Sequence, residues 1–173
     1  MTTAFLFPGQ GAQVVGMGAD VASAYPAAAG IFEKANDVLG FDLRKVCFEG
    51  PAETLNTTTM SQPAIFTTSA ALLEVIRTEP AMSGLVPQIT AGLSMGEYTA
   101  LYAAGLISFE DGLRLVHKRG EAMQAAADAT RGAMVSVMGL DEEKVRVLCR
   151  EAAQGDLLEP VNFNCPGQIV VSG

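Results

Sequence analysis

A serine lies between two glycines in the segment GLSMG, residues 92–96, with an apolar run before it and a helix-like run after it. This order is typical of a nucleophile elbow, a tight strand-to-helix turn that holds a serine hydroxyl out of the backbone. Gly92 and Gly96 are required because a Cβ would crowd the turn. The bare motif also arises by chance in a chain with 18 glycines. With its flanks, it predicts Ser94 as a nucleophile that attacks an acyl carbonyl carbon.

A second loop is expected beside Ser94. The segment FPGQG, residues 7–11, leaves a predicted strand at the sheet edge where Ser94 also lies, the edge at which doubly wound sheets bind ligands. An acyl-transfer site needs backbone N–H groups directed at the developing oxyanion. Met95, directly after the nucleophile, and Gln10, in this loop, would supply them. A plain strand-to-helix turn is the alternative interpretation of the loop.

Arg119 falls on an apolar stripe of a predicted helix. Its neighbours three and four positions away are Leu115, Val116, Ala122 and Met123. A buried guanidinium must meet an anion, because an unpaired buried charge is costly. The residues alone leave two partners open for Arg119: an internal carboxylate such as Glu97, or a carboxylate on a substrate.

The chain has one histidine, His117. Its helical neighbours are mostly polar and it lies two residues from Arg119, so its side chain is expected in solvent, pointing away from Arg119. A serine acyltransferase needs a base to activate its hydroxyl. The expected surface position of His117 leaves Ser94 without one.

Composition limits the class of protein. The 173 residues are 49% hydrophobic, enough for about one domain with a real core. Neither a membrane-spanning run nor a signal peptide is apparent, so a cytoplasmic location is expected. Three cysteines without a C-x-x-C motif argue against a disulfide framework and a metal site. The net charge of −8 disfavours nucleic acid and anionic membranes as partners.

Alternating strand and helix patterns predict an α/β fold with a parallel sheet. Strands are expected over residues 4–7 and 88–93, the second one buried, and helices over 16–40 (two, divided at Pro26), 61–79, 95–104 and 109–127. Ser61 is expected to cap the third of these helices, and Ser108 with Asp111 the last.

The pattern changes near residue 130. A strand, a helix and two further strands follow, which is three quarters of a ferredoxin-like β-α-β-β-α-β unit. We therefore expect one domain over residues 1–128 and the start of a small second subdomain over 129–173, with the last strand leaving an open edge at Ile169–Val171.

Five motifs spread along the chain occur in the order of one known family. They are FPGQGAQ at residues 7–13, SQPAIF at 61–66, GLSMGEYTAL at 92–101, HKRGEAMQ at 117–124 and VNFNCPGQIVVSG at 161–173. Through them the chain resembles the malonyl-CoA:acyl carrier protein transacylases, acyltransferases of fatty acid and polyketide synthesis. The resemblance implies an α/β-hydrolase-like core with a ferredoxin-like subdomain, both incomplete in this chain.

The resemblance also implies a reaction. Ser94 would take a malonyl group from malonyl-CoA and pass it to the phosphopantetheine thiol of acyl carrier protein, with no cofactor beyond the coenzyme A thioester, which is a substrate. The N–H groups of Gln10 and Met95 would form the oxyanion hole, and Gln62 would line the cleft. Arg119 would bind the free carboxylate of malonyl, which a planar guanidinium suits in a bidentate manner.

Two positions depart from the family pattern: Leu93, where histidine is frequent, and Cys165, where serine is common. Neither is a catalytic position. The family's catalytic histidine lies downstream of the small subdomain, beyond residue 173. Residues 1–173 alone are therefore expected to be an amino-terminal portion of the enzyme and inactive.

Two other functions remain open from the residues. An ester or thioester hydrolase would use the same elbow but would release free malonate. A binding module for the carrier protein would need no base. The products formed and the coding sequence beyond Gly173 distinguish these alternatives.

Overall fold

The elbow segment joins a short parallel pair of strands to a helix. The structure, a computed structural model, describes residues 2–173. Strand β1 (Ala4–Phe7) pairs in parallel with β2 (Ile89–Gly92), Phe7 lying opposite Gly92. The carboxyl ends of both strands therefore meet at one sheet edge, as the sequence predicts for the FPGQG loop and the elbow.

Seven α-helices accompany this pair of strands within residues 2–129. They are α1 (Ala19–Ala24), α2 (Pro26–Leu39), α3 (Leu43–Glu49), α4 (Ala52–Leu55), α5 (Thr58–Thr78), α6 (Gly96–Ala103) and α7 (Phe109–Ala129). Pro26 begins α2, and Gly40, at φ 75°, ends it with an N–H donated to the Asn36 carbonyl. The division at Pro26 is thus confirmed, since a proline is favourable at the first helical position and a glycine after the last.

The start of α5 differs from the prediction. The helix begins at Thr58, and the N–H of Ser61 already donates to the Thr57 carbonyl. Ser61 is therefore an interior helical residue, and its predicted role as N-cap is wrong. A serine followed by a proline two positions later resembles a helix start, but Ser61, Gln62 and Pro63 are all buried in the core, and this packing favours the extra turn.

Helix α7 begins as predicted. The Ser108 hydroxyl accepts the N–H of Asp111 at 3.0 Å and contacts its carboxylate at 2.8 Å. The core of this part of the chain forms where α7 meets α5 and α6: Phe66 stacks on Phe109 with ring centroids 5.7 Å apart, and both rings contact Tyr102.

Strand β2 is not buried, contrary to the prediction. Ile89 is 56% exposed and Leu6, on the neighbouring strand, is 76% exposed. Among residues 2–173, β2 pairs only with β1, and the apolar run that predicts burial lies on an uncovered part of this two-stranded sheet.

Residues 126–173 form a second compact unit with a three-stranded antiparallel sheet. Its elements are β3 (Met134–Met138), α8 (Glu142–Ala152), β4 (Glu159–Cys165) and β5 (Gln168–Ser172), and the strand order is β3-β5-β4. The predicted β-α-β-β order is confirmed. The expected open edge at residues 169–171 is wrong, because β5 is the central strand and pairs on both sides.

Two buried residues of α8, Val145 and Cys149, pack on Ile169 and Val171 of β5. The compact units divide between residues 125 and 126. The functional assignment of domains to residues 1–128 and 129–173 stays a prediction. None of the helices within residues 2–173 is long and apolar enough to cross a membrane.

Candidate active site

Ser94 occupies a strained turn between β2 and α6. Its φ of 53° lies in the left-handed region, which residues with a Cβ rarely adopt. The turn is held by two backbone hydrogen bonds: Leu93 donates to the Phe7 carbonyl at 3.1 Å, and Gly96 donates to the Leu93 carbonyl at 2.9 Å. Strain of this kind persists only where surrounding structure imposes it, and it is concentrated at functional sites.

The two glycines of the motif are required by close backbone contacts. A Cβ on Gly92 would overlap the carbonyl group of Gly96, and a Cβ on Gly96 would overlap the Phe7 carbonyl. The elbow therefore sits directly against the end of β1. The strand, turn and helix that the sequence predicts around Ser94 are present, and Ser94 itself is exposed.

The backbone N–H groups of Met95 and Gln10 have no backbone acceptor within residues 2–173, and the N–H of Ser94 itself has none either. Met95 is fully buried directly before α6, where the positive end of the helix dipole lies. A buried N–H without an acceptor is rare in native structures. Gln10 follows β1 at the same sheet edge. The role of the Met95 and Gln10 N–H groups as an oxyanion hole stays a prediction.

The guanidinium of Arg119 reaches the serine. Its Nη2 donates to Ser94 Oγ at 2.8 Å, and its Nη1 donates to Gln62 Oε1 at 2.7 Å. No ion pair joins Arg119 to Glu97 in the part of the chain that the structure describes. Of the two partners that the sequence left open, an internal carboxylate is therefore not found within residues 2–173, where the guanidinium is bound by neutral oxygens.

The surroundings of Arg119 are less apolar than its helical neighbours predict. Val116 is fully buried, but Leu115 is 48% and Met123 40% exposed, and Arg119 itself is half-buried. The stripe thus lies at the border of the core, and the burial of Arg119 that the stripe predicts is only partial. A guanidinium at such a border keeps one side accessible to a ligand.

Gly120 explains how Arg119 comes close to α5. A Cβ on Gly120 would lie 2.7 Å from the Thr58 carbonyl oxygen and 3.2 Å from the Thr59 Cα. The helices α5 and α7 therefore approach closely at the residue that follows Arg119, and this approach brings the arginine to Gln62.

Gln62 is at the centre of a set of side-chain hydrogen bonds. Its Nε2 donates to Met123 Sδ at 3.3 Å and to Gln10 Oε1 at 3.5 Å, while Gln10 Nε2 donates to Ser61 Oγ at 3.0 Å. The sequence predicts Gln62 and Gln10 at the site, but it does not predict that Ser61 and Met123 contact them. The SQPAIF motif contains Ser61, and Met123 lies one helical turn after Arg119, so spacing would have indicated both.

His117 is not the solvated residue that the sequence predicts. It is half-buried, and its ring packs on Phe41 at a centroid distance of 5.7 Å. The polar neighbours that predict exposure line only one side of α7 at this position. The hydroxyl of Ser94 is bonded to Arg119, and no hydrogen bond joins it to His117 among the described residues.

No group of three or more histidine, cysteine, aspartate or glutamate residues within residues 2–173 is placed to hold a metal ion. The expected absence of a metal and of a cofactor stays a prediction.

An exposed serine in a strained strand-to-helix turn, with a guanidinium bound to its hydroxyl, defines a candidate acyl-transfer site on an α/β fold. The chain belongs to the acyl transferase domain family, whose profile matches residues 4–173. A protein of Escherichia coli (strain K12) called malonyl CoA-acyl carrier protein transacylase is 48% identical over 170 residues, which cover 98% of this chain and 54% of that protein.

Solved structures agree with this assignment. The malonyl CoA-acyl carrier protein transacylase of Coxiella burnetii superposes with a TM-score of 0.92 at 39% identity, over 100% of this chain and 54% of that chain. A malonyl-transacylase in complex with a type II polyketide synthase acyl-carrier protein superposes with a TM-score of 0.89 at 44% identity, over 100% of this chain and 55% of that chain. The chain thus spans about half the length of the relatives it matches.

Proposed function

We propose that this chain carries the nucleophile and the carboxylate-binding residue of an acyltransferase that moves a malonyl group from coenzyme A to the phosphopantetheine thiol of acyl carrier protein. The observation that carries the proposal is the 2.8 Å hydrogen bond from Arg119 to Ser94 Oγ, because it places a cation beside the nucleophile. The names of the relatives support the same substrates, and one of the similar structures holds a carrier protein.

The reaction proceeds in two steps, acylation of Ser94 and transfer to the carrier thiol, through a seryl ester. Ser94 Oγ attacks the thioester carbonyl carbon of malonyl-CoA, its proton passes to a base, and the sulfur of coenzyme A leaves and takes up a proton. The thiol of the carrier then attacks the seryl ester in the same manner and restores the hydroxyl of Ser94. Covalent catalysis of this kind replaces one difficult step by two easier ones.

The oxyanion of each tetrahedral intermediate is stabilised by the N–H groups of Met95 and Gln10. Both lack a backbone acceptor within residues 2–173 and both lie at the sheet edge of the elbow. A donor that is already oriented costs no reorganisation when the charge develops, and removal of one such donor typically slows a reaction by ~10²–10³-fold.

Arg119 selects acyl groups that carry a free carboxylate. In the structure its two terminal nitrogens, Nη2 and Nη1, bind the Ser94 hydroxyl and the Gln62 amide, both weaker acceptors than a carboxylate. A malonyl carboxylate placed beside the half-buried guanidinium would replace the Ser94 contact and leave the hydroxyl oxygen free to attack. A substrate without a carboxylate leaves Arg119 on the serine.

The base comes from outside residues 2–173. His117 packs on Phe41, and Ser94 is bonded to Arg119, so the described residues offer the hydroxyl no base. The resemblance implies a histidine downstream of the small subdomain. Residues 1–173 alone should then retain binding and oxyanion stabilisation but turn over very slowly, because a site without its base keeps only a small part of the enzymatic rate. We place the enzyme in the cytoplasm, and the reaction needs no cofactor beyond the thioester substrate.

The proposal is tested by acyl selectivity in the full-length product of the gene that encodes this sequence. Arg119→Ala should lower kcat/KM for malonyl transfer by ~10²–10³-fold, the effect of about 3–4 kcal/mol, while acetyl transfer changes little or improves. Arg114→Ala is the matched control, since Arg114 is an exposed arginine on the same helix that forms an ion pair with Asp111 at 3.5 Å. Equal losses for both acyl groups, or release of free malonate by the unmodified protein in place of transfer to the carrier thiol, would contradict the proposal.

A further inference from the structure

We propose that Gln62 is a positioning residue, which fixes the guanidinium of Arg119 beside Ser94 and does not itself contact substrate. The inference deepens the proposed function and rests on it. It assigns the carboxylate selectivity of the site to a hydrogen-bonded pair on two helices, α5 and α7, and not to the arginine alone.

Burial excludes direct contact of Gln62 with an incoming acyl group. The residue is 0% exposed. Its Oε1 accepts from Arg119 at 2.7 Å, and its Nε2 donates to Met123 Sδ at 3.3 Å and to Gln10 Oε1 at 3.5 Å. The amide is therefore already engaged on both of its ends, and a substrate atom could reach it only by displacing one of these neighbours.

The hydrogen-bond pattern also fixes which way the amide points. An arginine has donors only, so it requires the oxygen of Gln62, and the Nε2 group must then face Met123 and Gln10. A buried acceptor that holds one side of a guanidinium limits the rotamers of a long, flexible side chain. The remaining Nη2 is thereby aimed at Ser94, at 2.8 Å.

The same amide connects two parts of the site. Gln10 lies in the loop proposed to form the oxyanion hole, and its side chain is held between Ser61 and Gln62, consecutive residues of α5. One turn of α5 thus holds both the loop that would stabilise the oxyanion and the arginine that would bind the carboxylate. Loss of the Gln62 amide should therefore loosen Arg119 most, since that contact is the shorter and charge-assisted one.

The test is a double-mutant cycle with two acyl donors in the full-length gene product. Gln62→Met removes the acceptor and keeps the length of the side chain. We expect malonyl kcat/KM to fall by about 10- to 100-fold, mainly through KM, while acetyl transfer changes by less than about threefold. In the Arg119→Ala background, Gln62→Met should change malonyl transfer by less than about threefold, because its effect acts through the arginine.

Two further variants distinguish a specific effect on Arg119 from a general loss of folding. Thr67→Val alters a fully buried residue on the same helix whose hydroxyl has no hydrogen-bond partner among residues 2–173, and it should leave both acyl reactions unchanged. Gln62→Glu keeps the acceptor but adds a charge that competes for the guanidinium, so it should raise the KM for malonyl-CoA and spare acetyl transfer.

Three results would count against the account, and they are distinguishable. Equal losses for both acyl groups in Gln62→Met, or additive effects in the cycle, would overturn the positioning role while leaving the acyltransferase intact. Failure of the unmodified protein to transfer malonyl at all would overturn the proposed function itself.

Discussion

The close approach of α7 to α5 at Gly120 leads to a stability prediction that needs no knowledge of substrate. The change is Gly120→Ala. An added Cβ would lie 2.7 Å from the Thr58 carbonyl oxygen, well inside the ~3.5 Å at which non-bonded heavy atoms attract one another. The contact is with backbone on both sides, so a rotamer change cannot relieve it, and α7 must move by roughly 0.5–1 Å.

Two opposing effects set the magnitude. Alanine is favoured over glycine inside a helix by about 1 kcal/mol. Overpacking of a close contact costs about 1–3 kcal/mol. Gly120→Ala should therefore leave the free energy of unfolding unraised and lower it by up to about 2 kcal/mol, despite the better helix propensity. It should also displace Arg119, and a misplacement of about 1 Å can cost ~10²-fold in rate.

The assay is urea-induced unfolding of the full-length gene product beside a matched glycine. Gly30 lies in α2 with nothing within 4 Å of an added Cβ. Gly30→Ala should raise the free energy of unfolding by about 0.5–1 kcal/mol. If Gly120→Ala stabilises the protein as much as Gly30→Ala does, the helices do not approach as described, and the explanation of how Arg119 reaches Gln62 is wrong.

Two other predictions compare buried side chains with exposed ones. Thr67→Val removes a buried hydroxyl that has no hydrogen-bond partner among the described residues, and it should raise the free energy of unfolding by about 1 kcal/mol. Thr78→Val removes a hydroxyl bonded at 2.6 Å to the Glu74 carbonyl, and it should not raise the free energy of unfolding. Equal changes for the two variants in urea titrations would contradict this prediction. Alkylation by iodoacetamide at pH 8 should modify the exposed Cys165 and spare the buried Cys47 and Cys149. The thiolate is the reactive form, and burial raises the pKa of Cys47 to about 12, so its thiolate forms only far above pH 8. Rapid modification of Cys47 in the folded protein, detected by peptide mass spectrometry, would contradict this prediction.

The parts of the fold that follow from local sterics could be predicted from the sequence. The elbow depends on Gly92 and Gly96, whose neighbours in space are only a few residues away or at the end of β1. Pro26 and Gly40 likewise delimit α2 through their own backbone preferences. In each case the pattern in the sequence and the force that acts in the structure concern the same few residues.

The parts of the fold that depend on packing between distant segments could not be predicted from the sequence. Ser61 has the local signature of a helix cap, yet core packing extends α5 by a turn beyond it. His117 has polar helical neighbours, yet Phe41, which lies between α2 and α3, packs on its ring. The contact of Arg119 with Ser94 joins residues 25 apart in the sequence, and it depends on how α7 packs beside the elbow, which no local pattern encodes.

The most direct test of the central claim is to locate the acyl group on the protein. The full-length gene product is incubated with malonyl-CoA without a carrier protein, quenched in acid, digested and analysed by peptide mass spectrometry. We expect one malonyl ester, on Ser94, which is absent from Ser94→Ala and is released as malonyl carrier protein when the carrier is added. An adduct on another residue, such as Cys165, or malonyl transfer that persists in Ser94→Ala, would contradict it.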